Sequence, residues 1–449
     1  MVPRHAHPPP APPHRRRRPD GEDRSGLAAR LRSLVHPGNP AMPVHAERIA
    51  RDIQAIAACT PNPGQGSDRP TFSPHWRKAR DYVIAEAAKV GCYHRVDAAG
   101  NVHIRQKSVD WSTPCWLAGS HLDSVPGGGD YDGVLGVVAA LEVLRTAAEE
   151  GKNSLPFEAI IFAEEEGTTF GLGMLGSRGW AGTLDAKALR ALKNSQGEDY
   201  WQAGKPHDTD PAKLEASRLK PSDWLGFLEL HIEQGVGMWK RGEKVALVTG
   251  INGRRQYAVT FGGVANHAGS TGMGDRHDAL AGAAEVVAGL ESLASALGAR
   301  VVATVGRITV EPNAVNVIPS SASLTVDVRA PEDGLLTEAD ARVRKLVKDA
   351  AAKRGLSAEI KQTEALPAVA LSAKLADRIR SAAARLTLPP LPETTSGALH
   401  DAAILAPLIP TIMLFVASKD GISHNPGEFS RTEDMATATR LLYEAISRS

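Results

Sequence analysis

Residues 115–133, CWLAGSHLDSVPGGGDYDG, indicate the type of fold, because a short apolar run in them ends abruptly at polar side chains. Residues 115–120 predict a buried strand that leads directly into His121. The glycines at positions 127–129 allow a sharp turn, and an apolar helical pattern follows over residues 134–149. A strand, a polar turn and a helix form the repeating unit of a parallel α/β sheet.

Three further apolar strands end in the same way, with polar or acidic residues within a few positions. They are residues 157–163 before Glu164, Glu165 and Glu166, residues 227–230 before His231, and residues 412–416 before His424. Because helical patterns separate several of these strands, we predict a mixed, mostly parallel α/β sheet with helices on both faces. Ligands bind beyond the carboxyl ends of the strands in such sheets, where these polar residues would lie.

Residues 246–365 follow a different order, β-α-β-β-α-β, which is that of a ferredoxin-like α+β sandwich. The predicted elements are strands at 256–261, 300–310, 321–329 and 357–362, and helices at 279–297 and 337–354. In the third strand apolar and polar residues alternate, so Asp327 and Arg329 are expected on the open face. Strand-to-polar units resume after this segment, which indicates an insertion.

The chain of 449 residues is long enough for more than one hydrophobic core. We assign residues 42–245 and 366–449 to one catalytic domain, and residues 246–365 to an inserted lid and dimerisation domain. Residues 1–41 are rich in proline and arginine and predict a disordered tail, with Met42 as an alternative start. A targeting role or a partner-binding role for this tail is the alternative.

Composition excludes several classes of function. The formal net charge of +1 gives no electrostatic case for nucleic acid or a membrane surface as the partner. The most apolar stretch, residues 134–144, is short and contains Glu142, so we expect no membrane-spanning helix. Cys59, Cys92 and Cys115 are odd in number and predict reduced, buried thiols in a cytoplasmic protein. A metal would therefore be held by histidines and carboxylates.

His121 and Asp132 are the first candidate ligands. Imidazole suits zinc, manganese, cobalt or nickel, and the carboxylate of Asp123 can accept the other ring N–H of His121. The glycine turn brings Asp132, eleven residues after His121, back towards the end of the strand. A lone histidine near an aspartate is more often structural, and it is the glycine turn that favours a ligand pair.

Three adjacent carboxylates, Glu164 to Glu166, would repel one another without a nearby cation, although a solvated acidic loop is the alternative. One of them can bind a metal while its neighbour acts as general base to water. His231 and His424 add nitrogen donors, although each alone is more often a hydrogen-bonded structural histidine. Three histidines, one aspartate and one glutamate are enough for two metals that share a carboxylate.

Four motifs, in this order, make the sequence similar to the M20 family of metallopeptidases. They are Asp132 with its glycine turn, Glu165-Glu166-Gly167, His231-Ile232-Glu233-Gln234-Gly235 and Ser423-His424-Asn425-Pro426. The chain most resembles the hydantoinase/carbamoylase branch, which contains N-carbamoyl-L-amino-acid hydrolases, allantoate amidohydrolases and β-ureidopropionases. That choice rests on His231, where relatives that act on peptides and acyl-amino acids typically carry a carboxylate. The resemblance extends from about Met42 to the C-terminus.

The resemblance implies two divalent metal ions per subunit, of zinc, manganese, cobalt or nickel. The implied ligands are His121, Asp132 and His231 for one ion, and Asp132, Glu166 and His424 for the other. Asp132 would bridge the two ions and Glu165 would be the general base, whereas Glu164 inherits no role.

Further residues are implied to contact the substrate. His267 resembles a histidine that reaches into the neighbouring subunit's site and polarises the scissile carbonyl, which makes a homodimer the working unit. Asn316 and Arg329 resemble residues that hold the substrate carboxylate, and a guanidinium offers that group a planar fork. Gln234 is also assigned to substrate binding, as is His400, for which a structural role is the alternative.

The sequence departs from the family pattern at two places. Gly272 stands where the family has a proline, so the loop that carries His267 is expected to be looser. Residues 236–239 differ from the family's usual Pro-Val-Leu-Glu and bear on substrate preference.

The implied reaction is hydrolysis of the ureido C–N bond of an N-carbamoyl-L-amino acid or a related ureido acid, which gives amino acid, carbon dioxide and ammonia. The same chemistry on allantoate, ureidoglycolate, a dipeptide or an acyl-amino acid is the nearest alternative. A catalytically silent ligand-binding homologue is the alternative from another class. No ligand or base is missing from the sequence, which argues against that last reading.

Overall fold

The computed structural model of the protein describes residues 44–448, so the expectations for the tail at residues 1–41 and for Met42 lie outside the described residues. The first elements are two helices, α1 (Ala46–Ala57) and α2 (Pro74–Ala88). The start of α2 follows directly from its sequence. Ser73 accepts a hydrogen bond of 3.1 Å from the backbone N–H of Trp76, and Pro74 occupies a first-turn position that needs no N–H donor.

The described strands form two separate sheets. In chain order they are β1 (Cys92–Val96), β2 (Val102–Gln106), β3 (Cys115–His121), β4 (Phe157–Phe162), β5 (Trp224–Ile232), β6 (Val245–Ile251), β7 (Gly253–Gly262), β8 (Val302–Glu311), β9 (Ser321–Ala330), β10 (Ser357–Leu366), β11 (Val369–Ala370), β12 (Glu393–Ser396) and β13 (Thr411–Val416). The larger sheet has the order β1-β2-β4-β3-β5-β13-β6-β11, with β12 beside β6.

The centre of the larger sheet consists of four parallel strands, β4, β3, β5 and β13. Every residue of β4 and β13 is buried, which matches the continuous apolar runs expected of strands covered on both faces. Antiparallel strands flank this centre on either side. In register, His121 lies opposite Phe162 and His231 lies opposite Phe415, so these strands end at one level. The prediction of a mixed, mostly parallel sheet is confirmed.

The remaining helices lie between and after the strands. They are α3 (Val134–Glu149), α4 (Leu175–Ala181), α5 (Ala186–Ala191), α6 (Tyr200–Gly204), α7 (Gly237–Arg241), α8 (Ala279–Leu297), α9 (Asp333–Arg354), α10 (Ala373–Arg385), α11 (Asp401–Leu405) and α12 (Thr432–Ile446). Helix α3 packs on β3, β4 and β5, and α12 packs on β5, β6 and β13. The side chains of α3 are buried without interruption from Val134 to Ala147, which places this helix in the main core.

The smaller sheet is antiparallel and has the order β10-β7-β9-β8. Its elements follow the chain order β7-α8-β8-β9-α9-β10, the β-α-β-β-α-β pattern read from the sequence. Burial alternates strictly along β9, where Ala322, Leu324, Val326 and Val328 contribute to a hydrophobic core that this sheet shares with α8 and α9. Arg329 projects from the opposite face, as the alternation predicts.

Helix α8 is the one helix of residues 44–448 that is long and apolar enough, by length and composition, to cross a membrane. It lies outside residues 134–144, the stretch that the sequence indicates as the most apolar. One face of α8, with Ala283, Val286 and Leu290, is buried against the smaller sheet, while Leu280 and Val287 are exposed. The apolar residues of α8 therefore lie partly in the core and partly on the surface.

Candidate metal centre

The carboxyl ends of the central parallel strands bring the five predicted metal ligands together. His121 is the last residue of β3, and His231 is the last residue but one of β5. Glu166 and His424 follow the ends of β4 and β13 within eight residues. Asp132 precedes α3 and completes the group from the turn between β3 and that helix.

One half of the cluster contains two histidines around one carboxylate oxygen. The Nε2 atom of His231 lies 3.1 Å from Oδ1 of Asp132, and Nε2 of His121 lies 3.8 Å from the same oxygen. One donor atom from each of the three residues lies within 4.8 Å of the others, and all three are buried. This spacing suits a single cation between the three side chains.

The other half of the cluster uses the second oxygen of Asp132. His424 Nε2 lies 3.1 Å from Asp132 Oδ2 and 3.7 Å from Oε1 of Glu166. These three residues form a second donor group within the same 4.8 Å limit. Asp132 thus offers one oxygen to each group, which is the arrangement of a carboxylate that bridges two metals.

Close packing fixes the position of Asp132. Gly133, which follows it, has φ 67°, and a Cβ atom there would lie 2.4 Å from Cε1 of His121, so only glycine fits against the imidazole. The carboxylate of Glu428 accepts hydrogen bonds from the backbone N–H groups of Tyr131 and Asp132, at 2.8 and 3.0 Å. It also accepts one from the hydroxyl of Ser423, at 2.9 Å. The loop that carries His424 is thereby tied to the turn that carries Asp132.

Backbone carbonyls set the tautomers of two histidines. Nδ1 of His121 lies 3.0 Å from the carbonyl oxygen of Asp123, and Nδ1 of His231 lies 3.0 Å from that of Ile232. Because a carbonyl only accepts, each Nδ1 must carry the proton, and a neutral ring then has its lone pair on Nε2. At His231 that lone pair would face the Asp132 carboxylate, so a proton or a metal cation must lie between them.

The partner of His121 differs from the sequence prediction. The carboxylate of Asp123 was expected to accept its ring N–H, but the nearer carboxylate oxygen, Oδ1, is 3.7 Å from Nδ1. The other oxygen, Oδ2, accepts the backbone N–H of Glu166 at 3.0 Å. The carboxylate therefore positions the Glu166 backbone, and the carbonyl of the same residue orients the imidazole.

The three adjacent glutamates have different environments. Glu164 is buried at φ 56°, and its carboxylate accepts the backbone N–H groups of Thr169 and Phe170, at 2.8 and 2.9 Å, so it shapes the loop. Glu165 instead lies 3.7 Å from Nε2 of His121. Burial and the repulsion between neighbouring carboxylates raise the pKa values of Glu165 and Glu166 well above their usual range. The pair thus lies where a cation would stabilise its charge.

Of the predicted substrate residues between positions 246 and 365, the structure brings Arg329 to the cluster and leaves two others away from it. Arg329 lines one cavity with Gln234 and His424, and its Nη1 donates to the carbonyl of Gly397 at 3.0 Å. His267 and Asn316 are exposed and belong to two paired loop segments. Neither is among the described residues that line this cavity.

Gln234 and His400 make contacts within the protein. Nε2 of Gln234 donates to Oδ2 of Asp132 at 2.7 Å, so its amide lies beside the shared carboxylate. His400 is 1% exposed, its Nε2 lies 2.8 Å from Oγ of Ser396, and its ring centroid is 4.4 Å from that of His231. These contacts agree with a structural role for His400, which was the alternative in the sequence analysis, since its buried ring packs against the ring of His231.

Three residues near the cluster were not identified from the sequence as functional. The buried carboxylate of Glu229 accepts one hydrogen bond from Oγ of Ser120, at 2.8 Å, and one from the backbone N–H of Ala402, at 3.0 Å. Glu428 organises the Asp132 turn, and Arg178 lines a cavity beside Glu165. Glu229 carried a visible signal, an acidic residue inside an apolar strand. Glu428 and Arg178 carried none, because their neighbours are distant in the sequence.

Known proteins resemble this chain in sequence and in fold. The profile of peptidase family M20/M25/M40 matches residues 117–448. An N-carbamoyl-L-amino acid amidohydrolase of Geobacillus stearothermophilus is 35% identical over 406 residues, which cover 90% of this chain and 98% of that protein. An allantoate amidohydrolase of Bacillus subtilis is 31% identical, over 85% of this chain and 92% of that protein. The crystal structure of a hydantoinase/carbamoylase family amidase from Burkholderia multivorans superimposes with a TM-score of 0.82 at 33% identity, covering 91% and 98% of the two chains.

Proposed function

Because this chain belongs to peptidase family M20/M25/M40, we propose that it is a binuclear-metal amidohydrolase that acts on ureido acids. It hydrolyses a non-peptide amide C–N bond, as the named relatives do at 31% and 35% identity. The proposed reaction cleaves the ureido C–N bond of an N-carbamoyl-L-amino acid to amino acid, carbon dioxide and ammonia. The observation that carries this proposal is the single Asp132 carboxylate shared between two histidine-containing donor groups.

The residues present fit divalent metals. Nitrogen and carboxylate oxygen donors in these numbers suit zinc, manganese, cobalt or nickel. His121, Asp132 and His231 would hold one ion, and Asp132, Glu166 and His424 the other. Positive charge at this place would stabilise the buried carboxylates of Glu165 and Glu166. It would also satisfy the lone pair of His231 that faces Asp132. When bound, such ions would acidify water and polarise the scissile carbonyl.

Protein side chains would handle the proton and the substrate. Glu165 borders the donor group yet belongs to neither half of it, so it is free to take a proton from the attacking water and to deliver it to the leaving nitrogen. Arg329 would hold the substrate carboxylate in the cavity that it shares with His424. Asp123 and Glu428 would act through the backbone, since they fix Glu166 and Asp132.

We assign residues 246–365 to a lid that also forms a homodimer. Strand β8 is at the edge of the smaller sheet, and Val302 and Ile308 on it are exposed, as are Leu280 and Val287 on α8. An open edge strand beside an apolar helix face is a typical surface for pairing with a second copy. Nδ1 of His267 accepts the N–H groups of Gly269 and Ser270, so a neutral ring presents Nε2–H outward. In the dimer this donor would polarise the carbonyl bound by the partner.

A location in the cytoplasm is part of the proposal. Cys59, Cys92 and Cys115 are all free and buried. Buried thiols without disulfides are typical of reducing compartments.

Purified protein reconstituted separately with Mn²⁺, Co²⁺ and Zn²⁺ tests the substrate class. The panel contains an N-carbamoyl-L-amino acid, allantoate, ureidoglycolate and a dipeptide, with ammonia or amine release as the readout. We expect N-carbamoyl-L-amino acids to give the highest kcat/KM and the dipeptide to be inert. A higher kcat/KM on allantoate or ureidoglycolate would support the same reaction on a different substrate, namely that of the allantoate amidohydrolase relative in the case of allantoate. No hydrolysis of any compound with any metal would favour a silent binding protein.

A further inference from the structure

The guanidinium of Arg178 has no partner within the described residues. Arg178 belongs to α4, and its Nε and Nη2 atoms are shielded from solvent without a hydrogen bond. No described carboxylate oxygen lies within 4.0 Å of the Arg178 guanidinium.

Shielded guanidinium nitrogens without an anion are unfavourable, and partial burial lowers the pKa of Arg178. Glu364, an acidic neighbour that raises the pKa of Arg178, is already engaged, because Arg254 donates to its Oε2 at 2.6 Å. Arg178 therefore keeps hydrogen-bond donors that have no acceptor among the described residues.

The same cavity connects Arg178 to the proposed catalytic groups. It has a volume of about 230 Å³, and Glu165, Glu166, His424 and Arg329 also line it. Arg329 differs from Arg178 in having partners, since its Nε donates to Asp327 at 3.0 Å and its Nη1 to the Gly397 carbonyl. A substrate held by Arg329 near Glu165 would thus have a second, unpartnered cation within the same small space.

We propose that Arg178 is a second anion-binding position, and that the preferred substrates are ureido acids with a second carboxylate in their side chain. This inference rests on the proposed function, because it places the ureido group at the metal centre and the first carboxylate at Arg329. A guanidinium binds a carboxylate through paired, charge-assisted hydrogen bonds. The small volume favours a compact acidic side chain over a large apolar one.

N-carbamoyl-L-aspartate and N-carbamoyl-L-asparagine test the inference, because they differ in side-chain charge at nearly equal size. We expect the wild type to prefer the aspartate compound by about tenfold or more in kcat/KM, the usual size of a charge-assisted contact. Arg178→Met should abolish this preference, mainly through KM, and Arg178→Lys should retain part of it. Arg190→Met, at an exposed arginine on α5, is the matched control and should leave the preference unchanged.

Equal losses on both compounds in Arg178→Met would overturn the inference, since they would assign Arg178 to the first carboxylate. A wild type without a preference for the aspartate compound would overturn it as well. A binding measurement separates these results from a failure of the proposed function. In zinc-loaded protein, succinate should raise the melting temperature more than succinamate does, and Arg178→Met should remove the difference. This binding measurement needs no turnover, so it tests whether Arg178 binds a second carboxylate even if no ureido acid is hydrolysed.

Discussion

At the scale of single residues, the Asp132 carboxylate is the centre of the site. Burial alone would raise its pKa, but hydrogen bonds with His231 and His424 hold the pKa well below the usual range. Each of its oxygens faces one histidine at 3.1 Å. A charged, buried carboxylate with imidazoles on both sides is suited to bind cations on both sides.

Glu165→Gln should lower kcat by a factor of about 10² to 10⁴, the usual contribution of a general base, because an amide cannot accept the proton. Metal content and melting temperature should remain near those of the wild type, since Glu165 is not a proposed ligand. Glu164→Gln is the matched control. Its side chain caps a loop through backbone N–H groups, which an amide oxygen can still accept, so turnover should persist. A near wild-type rate in Glu165→Gln would remove Glu165 from its role.

At the scale of elements, a buried ionic cluster joins β2 to β4 away from the metal centre. Burial would lower the pKa of His103, but the Glu158 carboxylate, 2.5 Å from Nδ1, raises it to about 9. Arg105 also contacts Glu158, and Asp97 lies 3.3 Å from Nε2 of His103. The charged imidazole thus holds two strands together.

The folded-state pKa of His103 lies above its unfolded value of 6.5, so its contribution to stability is full below pH 6.5 and is lost as pH rises through about 9. The difference corresponds to roughly 3 kcal/mol at most. His103→Gln should therefore lower the melting temperature strongly at pH 6 and much less at pH 10. A melting-temperature difference that does not shrink over this range would contradict the assignment.

The elements also show what the sequence could predict. Strand ends were predictable because apolar runs stop where polar residues begin, which placed His121, His231 and the glutamates at one edge of the sheet. The choice of partner atom was not predictable. Whether His121 donates to the carboxylate or to the carbonyl of Asp123 depends on where the backbone N–H of Glu166 lies. The role of Glu428 was not predictable because the turn that it contacts, at Asp132, lies almost three hundred residues away in the sequence.

At the scale of the whole molecule, the proposed function includes a homodimer in which His267, which is exposed in one chain, completes the active site of the neighbouring subunit. His267→Ala and Glu165→Gln should each be nearly inactive alone. After subunit exchange between the two variants, half of the dimers are mixed, and each mixed dimer has one intact site, so about a quarter of wild-type activity should return. No recovery despite confirmed exchange would show that His267 does not act across subunits.

The number of metal ions bound per chain shows whether Asp132 lies between two metals. Protein saturated with Zn²⁺, Mn²⁺ or Co²⁺ and dialysed should contain two ions per chain by elemental analysis. His231→Ala should retain about one, because it removes a ligand from only one half of the cluster. Fewer than two ions per chain in the saturated wild type, with every metal tried, would contradict the account.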